Sequence, residues 1–185
     1  MFKYACNGTD VENHRKKLVE ILRAAYSGEM GAAFAYRGHW QSVTEPDEIR
    51  EIRRVEAEEW AHRADIRGML ADLGAKPQII REVFLWLVGR TAGRLCHIAG
   101  WFFPMYVAGM LETENVDEYT RAANHAGSLG MEALQRDLLE MTQTEKRHEA
   151  FFFRMVAGHP LLPAARLIMG WGPGRAQNSG KEYLI

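Results

Sequence analysis

The chain has 185 residues, of which 47% are hydrophobic and 25% charged, and its formal net charge is -1. That length suits one domain with a substantial core, and the composition excludes the disordered and collagen-like classes. Basic and acidic residues are interspersed throughout, so there is no electrostatic footprint for a nucleic-acid backbone, and nucleic acid is not an expected partner.

Thr9 and Glu12 have the spacing of a capping box, and from there to about Val43 the pattern predicts a first helix interrupted only by glycines. Thr44 is placed to cap a second helix with Pro46 in its first turn, running to Leu73 and stopping at Gly74 with Pro77 beyond. Residues 77–99 read as a third, mostly apolar helix, and Gly100 separates it from a fourth that runs from Trp101 through Ala126. A break over 127–130 precedes a fifth helix over 131–157, which Gly158-His159-Pro160 ends. Residues 161–171 form a short apolar segment, and a polar tail follows Gly172.

No strand-like alternation competes with these patterns. The expected fold is all-α: a four-helix bundle built from the first, second, fourth and fifth helices, with the third as an extra crossover helix and a short C-terminal apolar segment. The expected boundaries are 1–172 for the domain and 173–185 for the tail. Cys6 and Cys96 belong to no CxxC pair, which points to a reducing compartment and to neither a zinc site nor a disulfide framework. Residues 1–17 are polar and charged, without the apolar stretch of a secretory signal, so a cytoplasmic location is expected. Residues 95–111 are nearly all apolar but fall short of the roughly 20 residues that span a bilayer and include Pro104. Contact with the cytoplasmic membrane face is therefore expected in preference to a span.

In a bundle the inward positions recur in alternating steps of three and four. On the first helix this seam reads Leu18, Leu22, Ala25, Glu29, Ala32, Tyr36, and on the second Ile52, Val55, Glu59, His62, Ile66, Met69, Leu73. The fourth offers Met105, Ala108, Glu112, Asn115, Tyr119, Ala122, and the fifth Leu134, Leu138, Met141, Glu145, His148, Phe152, Met155. Each core helix thus buries a glutamate. Burying an ionised carboxylate without a partner is costly, so four converging in one core demand cations or several protons. Two single glutamates plus two Glu-x-x-His pairs is the ligand set of ferritin-like di-iron and di-manganese carboxylate proteins. Glu29, Glu59, His62, Glu112, Glu145 and His148 are therefore the expected ligands of two iron ions, with manganese as the alternative metal.

With 18 Glu and 7 His in the chain, roughly 0.7 Glu-x-x-His pairs would arise by chance. The pairs gain weight because both fall on separate seams, in phase with Glu29 and Glu112, where glutamate is ordinarily depleted. Glu114 and Glu118 compete with Glu112, which has the better phase. Glu56, Glu58 and Glu149 flank the motifs off the seam and read as solvated, and the remaining histidines, His39 among them, read as structural or solvated. Tyr36 and Tyr119 are candidate catalytic residues, placed to hydrogen-bond a ligand or pass an electron, with core packing an equal reading for each.

The motifs Gly28-Glu29-Met30-Gly31 with Tyr36 following, Glu59-Trp60-Ala61-His62, Glu112, and Glu145-Lys146-Arg147-His148 resemble those of the demethoxyubiquinone hydroxylases, over roughly residues 22–171. The resemblance implies a di-iron monooxygenase that uses dioxygen and an external electron donor to hydroxylate a lipophilic, quinone-like ring, and that associates peripherally with membranes. Where the family typically has a His-Tyr pair after the fourth-helix glutamate, this sequence has Glu118-Tyr119. The same ligand skeleton occurs in rubrerythrin-like peroxide reductases and in ferritins that oxidise and store iron, which are the alternative functions. The chain lacks the paired CxxC motifs of full-length rubrerythrins. Residues 83–111 and 161–171 supply apolar surface suited to a lipid or a greasy substrate, or else to packing against each other or in a homodimer.

Overall fold

The computed structural model describes residues 8–172, so Cys6 and the polar tail over 173–185 lie outside the described residues. Among the described residues six helices follow one another: α1 (Gly8–Ser42), α2 (Pro46–Asp72), α3 (Ile79–Leu95), α4 (Phe102–Ser128), α5 (Glu132–Val156) and α6 (Leu162–Met169). Among the described residues there is no strand. The fold is an all-α, ferritin-like helical bundle.

Side-chain contacts fix the directions of the helices. Tyr36 reaches Glu112 while Tyr119 reaches Glu29, so α1 and α4 are antiparallel. Arg37 pairs with Glu56 and Arg63 with the Tyr26 carbonyl, which makes α1 and α2 antiparallel as well. Glu59 faces His148 and His62 faces Glu145, which sets α2 against α5. The core helices therefore run up, down, down, up. Because α2 and α4 both run down, α3 must carry the chain back along the bundle.

That return leg lies on α1 at glycine-sized distance. A Cβ on Gly38 would stand 2.2 Å from the Gly93 carbonyl oxygen, and one on Gly89 would stand 2.1 Å from the Gly31 carbonyl oxygen. Only backbones without side chains approach so closely. Along the outer flank of α3, Ile80, Val83, Phe84 and Leu87 are exposed among the described residues. Among the described residues, no helix is long and apolar enough to cross a membrane.

Helix ends differ in detail from the sequence expectation. Thr9 lies inside the first turn of α1 and does not cap it. The residue that caps α2 is Glu45, not Thr44, with Pro46 opening the helix. The expected break at Gly127 is absent: α4 continues to Ser128, because Gly127 serves packing, its missing Cβ leaving room for the Gln135 side chain of α5. The positive φ that stops α4 belongs to Gly130. There the Met131 N–H bonds the Ala126 carbonyl and the Gly130 N–H bonds the Gly127 carbonyl, the paired closure that a left-handed glycine permits; Gly74 ends α2 in the same way. The C-terminal apolar segment is only partly surface. Leu162, Ala165 and Trp171 are buried, whereas Leu167 and Ile168 are exposed. The Trp171 ring fills the space above Gly109 and its Nε1 donates to Thr113 Oγ1 at 2.7 Å.

The core has two apolar layers. One gathers Leu18, Leu22, Ile66, Leu70, Ala122 and Leu138. The other gathers Tyr36, Ile52, Val55, Met105, Phe152 and Val156. Gly38→Ala should destabilise the protein by roughly 1–3 kcal/mol, since backbone must move to admit the methyl group. Gly68→Ala, in α2 with nothing within 4 Å, should be stabilising by about 0.5–1 kcal/mol. Thermal or urea unfolding of both variants checks the pair.

Candidate metal centre

Between the two apolar layers lies a layer of ionisable groups. Glu29, Glu59, Glu112, Glu145, His62 and His148 are all buried, and Glu59, Glu112, Glu145 and His148 are inaccessible to solvent. Their ligand atoms form two groups that share Glu145: Glu59, Glu112, Glu145 and His148 in one, Glu29, His62 and Glu145 in the other. Within each group the atoms lie within 4.8 Å of one another. Every seam residue that the sequence singled out as a ligand is brought to this one place.

Many of these atoms lack the partner that burial demands. Among the described residues, Glu29 Oε2, both oxygens of Glu59, both oxygens of Glu145, His62 Nδ1 and His148 Nδ1 find no hydrogen-bond partner. His62 Nδ1 comes within 2.8 Å of Glu145 Oε1, and His148 Nδ1 within 3.3 Å of Glu145 Oε2, without the alignment that a hydrogen bond needs. Oxygens and imidazole nitrogens converging with bare lone pairs is the donor set of a carboxylate-rich site for divalent ions, and two such groups sharing a carboxylate could hold two.

Electrostatics without an ion describe the same strain. Burial, followed by the charge of neighbouring carboxylates, pushes the Glu59 carboxyl well above its usual range. Burial and Glu145 push Glu112 up to about 8. Glu29 is also raised, chiefly by burial. Burial alone would lower His148, but the surrounding carboxylates of Glu112, Glu145 and Glu59 outweigh it and hold the ring protonated. Glu145 goes the other way: burial is overcome by the two histidines, and its carboxyl sits below the usual range. Protons thus do the neutralising that cations would do in a filled site.

The surrounding residues hold the inner ones in place. Tyr36 donates its hydroxyl to Glu112 Oε1, and Tyr119 donates to Glu29 Oε1, so each glutamate that stands alone on its helix is gripped by a phenol from the helix opposite. Burial and the nearby carboxylates raise both phenols well above their ordinary range, which keeps them protonated as donors. Asn115 donates to Glu112 Oε2 at 3.3 Å.

Several flanking residues depart from the sequence expectation. Glu58 is not simply solvated: its Oε2 lies 2.6 Å from His148 Nε2, which turns Nδ1 inward. Glu58 is itself held by Arg54 at 2.8 Å. Glu56 is buried, accepting from Arg37 Nε at 2.8 Å and from Trp40 Nε1 at 2.7 Å. Glu149 accepts from Thr113 Oγ1 at 2.6 Å. Glu114 is exposed, and Glu118 is half-buried.

An apolar cavity of about 440 Å³ adjoins this layer between α1, α3 and α4. Tyr36 and Asn115, both bonded to Glu112, line its inner side. Val88, Leu95, Phe103 and Leu111 line it as well and remain partly exposed, so the cavity has an apolar mouth.

The sequence profile of the ubiquinone biosynthesis protein COQ7 family matches residues 16–125. The chain belongs to this family. The matched stretch contains Glu29, Glu59, His62 and Glu112, along with the helices that form the cavity. The 3-demethoxyubiquinol 3-hydroxylase of Francisella tularensis subsp. novicida (strain U112) is 25% identical over 162 residues, covering 85% of this chain and 74% of the relative. The enzyme of the same name from Francisella tularensis subsp. holarctica (strain FTNF002-00 / FTA) is 24% identical over 167 residues, covering 88% and 76%. No solved structure matches.

Glu112→Ala should strip most of the bound metal from protein loaded with ferrous iron, whereas Glu114→Ala should leave it nearly intact. Elemental analysis of folded variants with unchanged helicity distinguishes them, and the reverse ranking would mean that α4 is rotated about its axis.

Proposed function

We propose that the protein is a di-iron monooxygenase that hydroxylates a ring carbon of a lipophilic quinol, with Glu29, Glu59, His62, Glu112, Glu145 and His148 as ligands of the two ions. The observation that carries this reading is the apolar cavity whose wall shares Tyr36 and Asn115 with the buried carboxylate layer. A ferroxidase or a peroxide reductase, whose substrates are small and polar, has no use for such a cavity. The relatives' name, 3-demethoxyubiquinol 3-hydroxylase, supports a quinol as substrate.

Two iron ions in this layer would supply the redox chemistry that activates dioxygen, manganese being the alternative occupant. The chain's own residues do the rest. The four carboxylates would balance the charge of two divalent ions, and Glu145 contributes to both groups of ligand atoms. Glu58 orients the imidazole of His148. Tyr36 and Tyr119 restrain Glu112 and Glu29 from opposite helices, so the two α1 and α4 carboxylates keep their places as the charge of the centre changes. The apolar layers on both sides exclude water from the reaction. The cavity takes the ring at its inner side and leaves an isoprenoid-like tail to run out past Leu95, Phe103 and Leu111. A substrate with such a tail would arrive from a membrane surface, in line with peripheral contact.

In balance, one oxygen atom enters the ring carbon in place of hydrogen, and the other leaves as water with two electrons and two protons from an external donor. Turnover of an isoprenoid quinol lacking one ring oxygen, under isotopically labelled dioxygen, should put one labelled atom into the product by mass spectrometry. Rapid consumption of hydrogen peroxide without ring oxidation would favour a peroxide reductase instead, and steady uptake of ferrous iron into a mineral would favour storage.

A further inference from the structure

His39 stands in the wall of the apolar cavity and is 2% exposed. Its Nε2 is buried with no hydrogen-bond partner among the described residues. The ring lies nearly parallel to Phe152 at 6.0 Å between centroids and to Tyr36 at 6.4 Å, and those two rings are stacked on each other at 5.6 Å. Held in this aromatic stack, the imidazole has a fixed plane. Burial pushes its pKa down to about 4, so at neutral pH the ring is uncharged, with one N–H donor and one bare acceptor nitrogen.

Packing alone does not call for a histidine here. A phenyl or aliphatic side chain would fill the same stack without leaving a buried polar atom unsatisfied. The other polar side chains in the cavity wall are already committed within the protein: Tyr36 and Asn115 to Glu112, and the Cys96 thiol to the Ala92 carbonyl at 3.3 Å. His39 is the exception, and its ring lies directly beside that of Tyr36, which holds a candidate metal ligand.

We propose that His39 is a positioning residue for the substrate: it hydrogen-bonds an oxygen substituent of the ring bound in the cavity and so fixes which ring carbon faces the carboxylate layer. This rests on the reading that the cavity holds the substrate ring. A ring in an otherwise apolar slot could rotate about its tail axis without much change in contact. One directional bond to a stacked imidazole removes that freedom, and a site built to bond an oxygen discriminates strongly against a ring that lacks it.

The test uses full-length, metal-loaded protein and two probes with the same alkyl tail, an alkylhydroquinone and the corresponding alkylbenzene. Equilibrium binding should favour the hydroquinone. His39→Phe should reduce that preference by roughly tenfold while binding the alkylbenzene at least as well, and His39→Gln, which keeps a donor and an acceptor, should restore it. His39→Leu is a second apolar variant should the phenyl ring not be accommodated. An undiminished preference in a folded apolar variant would overturn the proposal while leaving the cavity as the substrate site. If the unmodified protein bound neither probe, the assignment of the cavity would fall, and this inference with it.

Discussion

The structure depends on one electrostatic constraint: four carboxylates, one from each core helix, are buried in a single layer of the bundle. The penalty for placing an ionised group in a low-dielectric interior is several kcal/mol even after relaxation. Two histidines, two phenols and one amide from the surroundings do not satisfy the set, and both oxygens of Glu59 remain without a hydrogen bond among the described residues. Protons can relieve part of the remainder, in line with the upward shifts of Glu59 and Glu112, but only by giving up the charge that makes these groups useful. Divalent cations relieve it while keeping the carboxylates ionised.

Much of the surrounding architecture is arranged about that layer. Running up, down, down, up puts α1 opposite α4 and α2 opposite α5, so each lone glutamate receives a tyrosine from the facing helix and each Glu-x-x-His pair meets the other. The apolar layers on either side keep water out and fix the rotation of every helix. The glycine contacts between α1 and α3 set how closely the return helix approaches, and the cavity occupies the space between α1, α3 and α4. The apolar cavity and the carboxylate layer are thus consequences of one packing arrangement.

The seam phase made the inner residues legible in the sequence, because the position of a residue around its own helix follows from the 3.6-residue period. Glu112 was separable from Glu114 on this ground alone, and the structure buries the first and exposes the second. What the period cannot supply is which helix lies beside a given flank. Glu58 looked like part of a solvated face, yet that flank of α2 meets α5, where His148 presents its Nε2. Glu56 failed for the same reason on the side facing α1. His39 was hidden more deeply: nothing in its local sequence signals that three helices leave a cavity beside it. Helix ends were misread where a residue had two uses, as with Gly127, which looks like a terminator and serves as a packing site.

The central claim is that this layer is a two-cation site. Its most direct test is anaerobic titration of the metal-free protein with ferrous iron near pH 7, following bound metal and released protons together. Saturation at two ions per chain is the expected result, with protons released from Glu59 and Glu112, whose carboxyls burial and neighbouring carboxylates raise furthest. Uptake should weaken as pH falls, since protons compete for the same oxygens. Saturation at one ion, no uptake, or uptake without proton release would contradict the account.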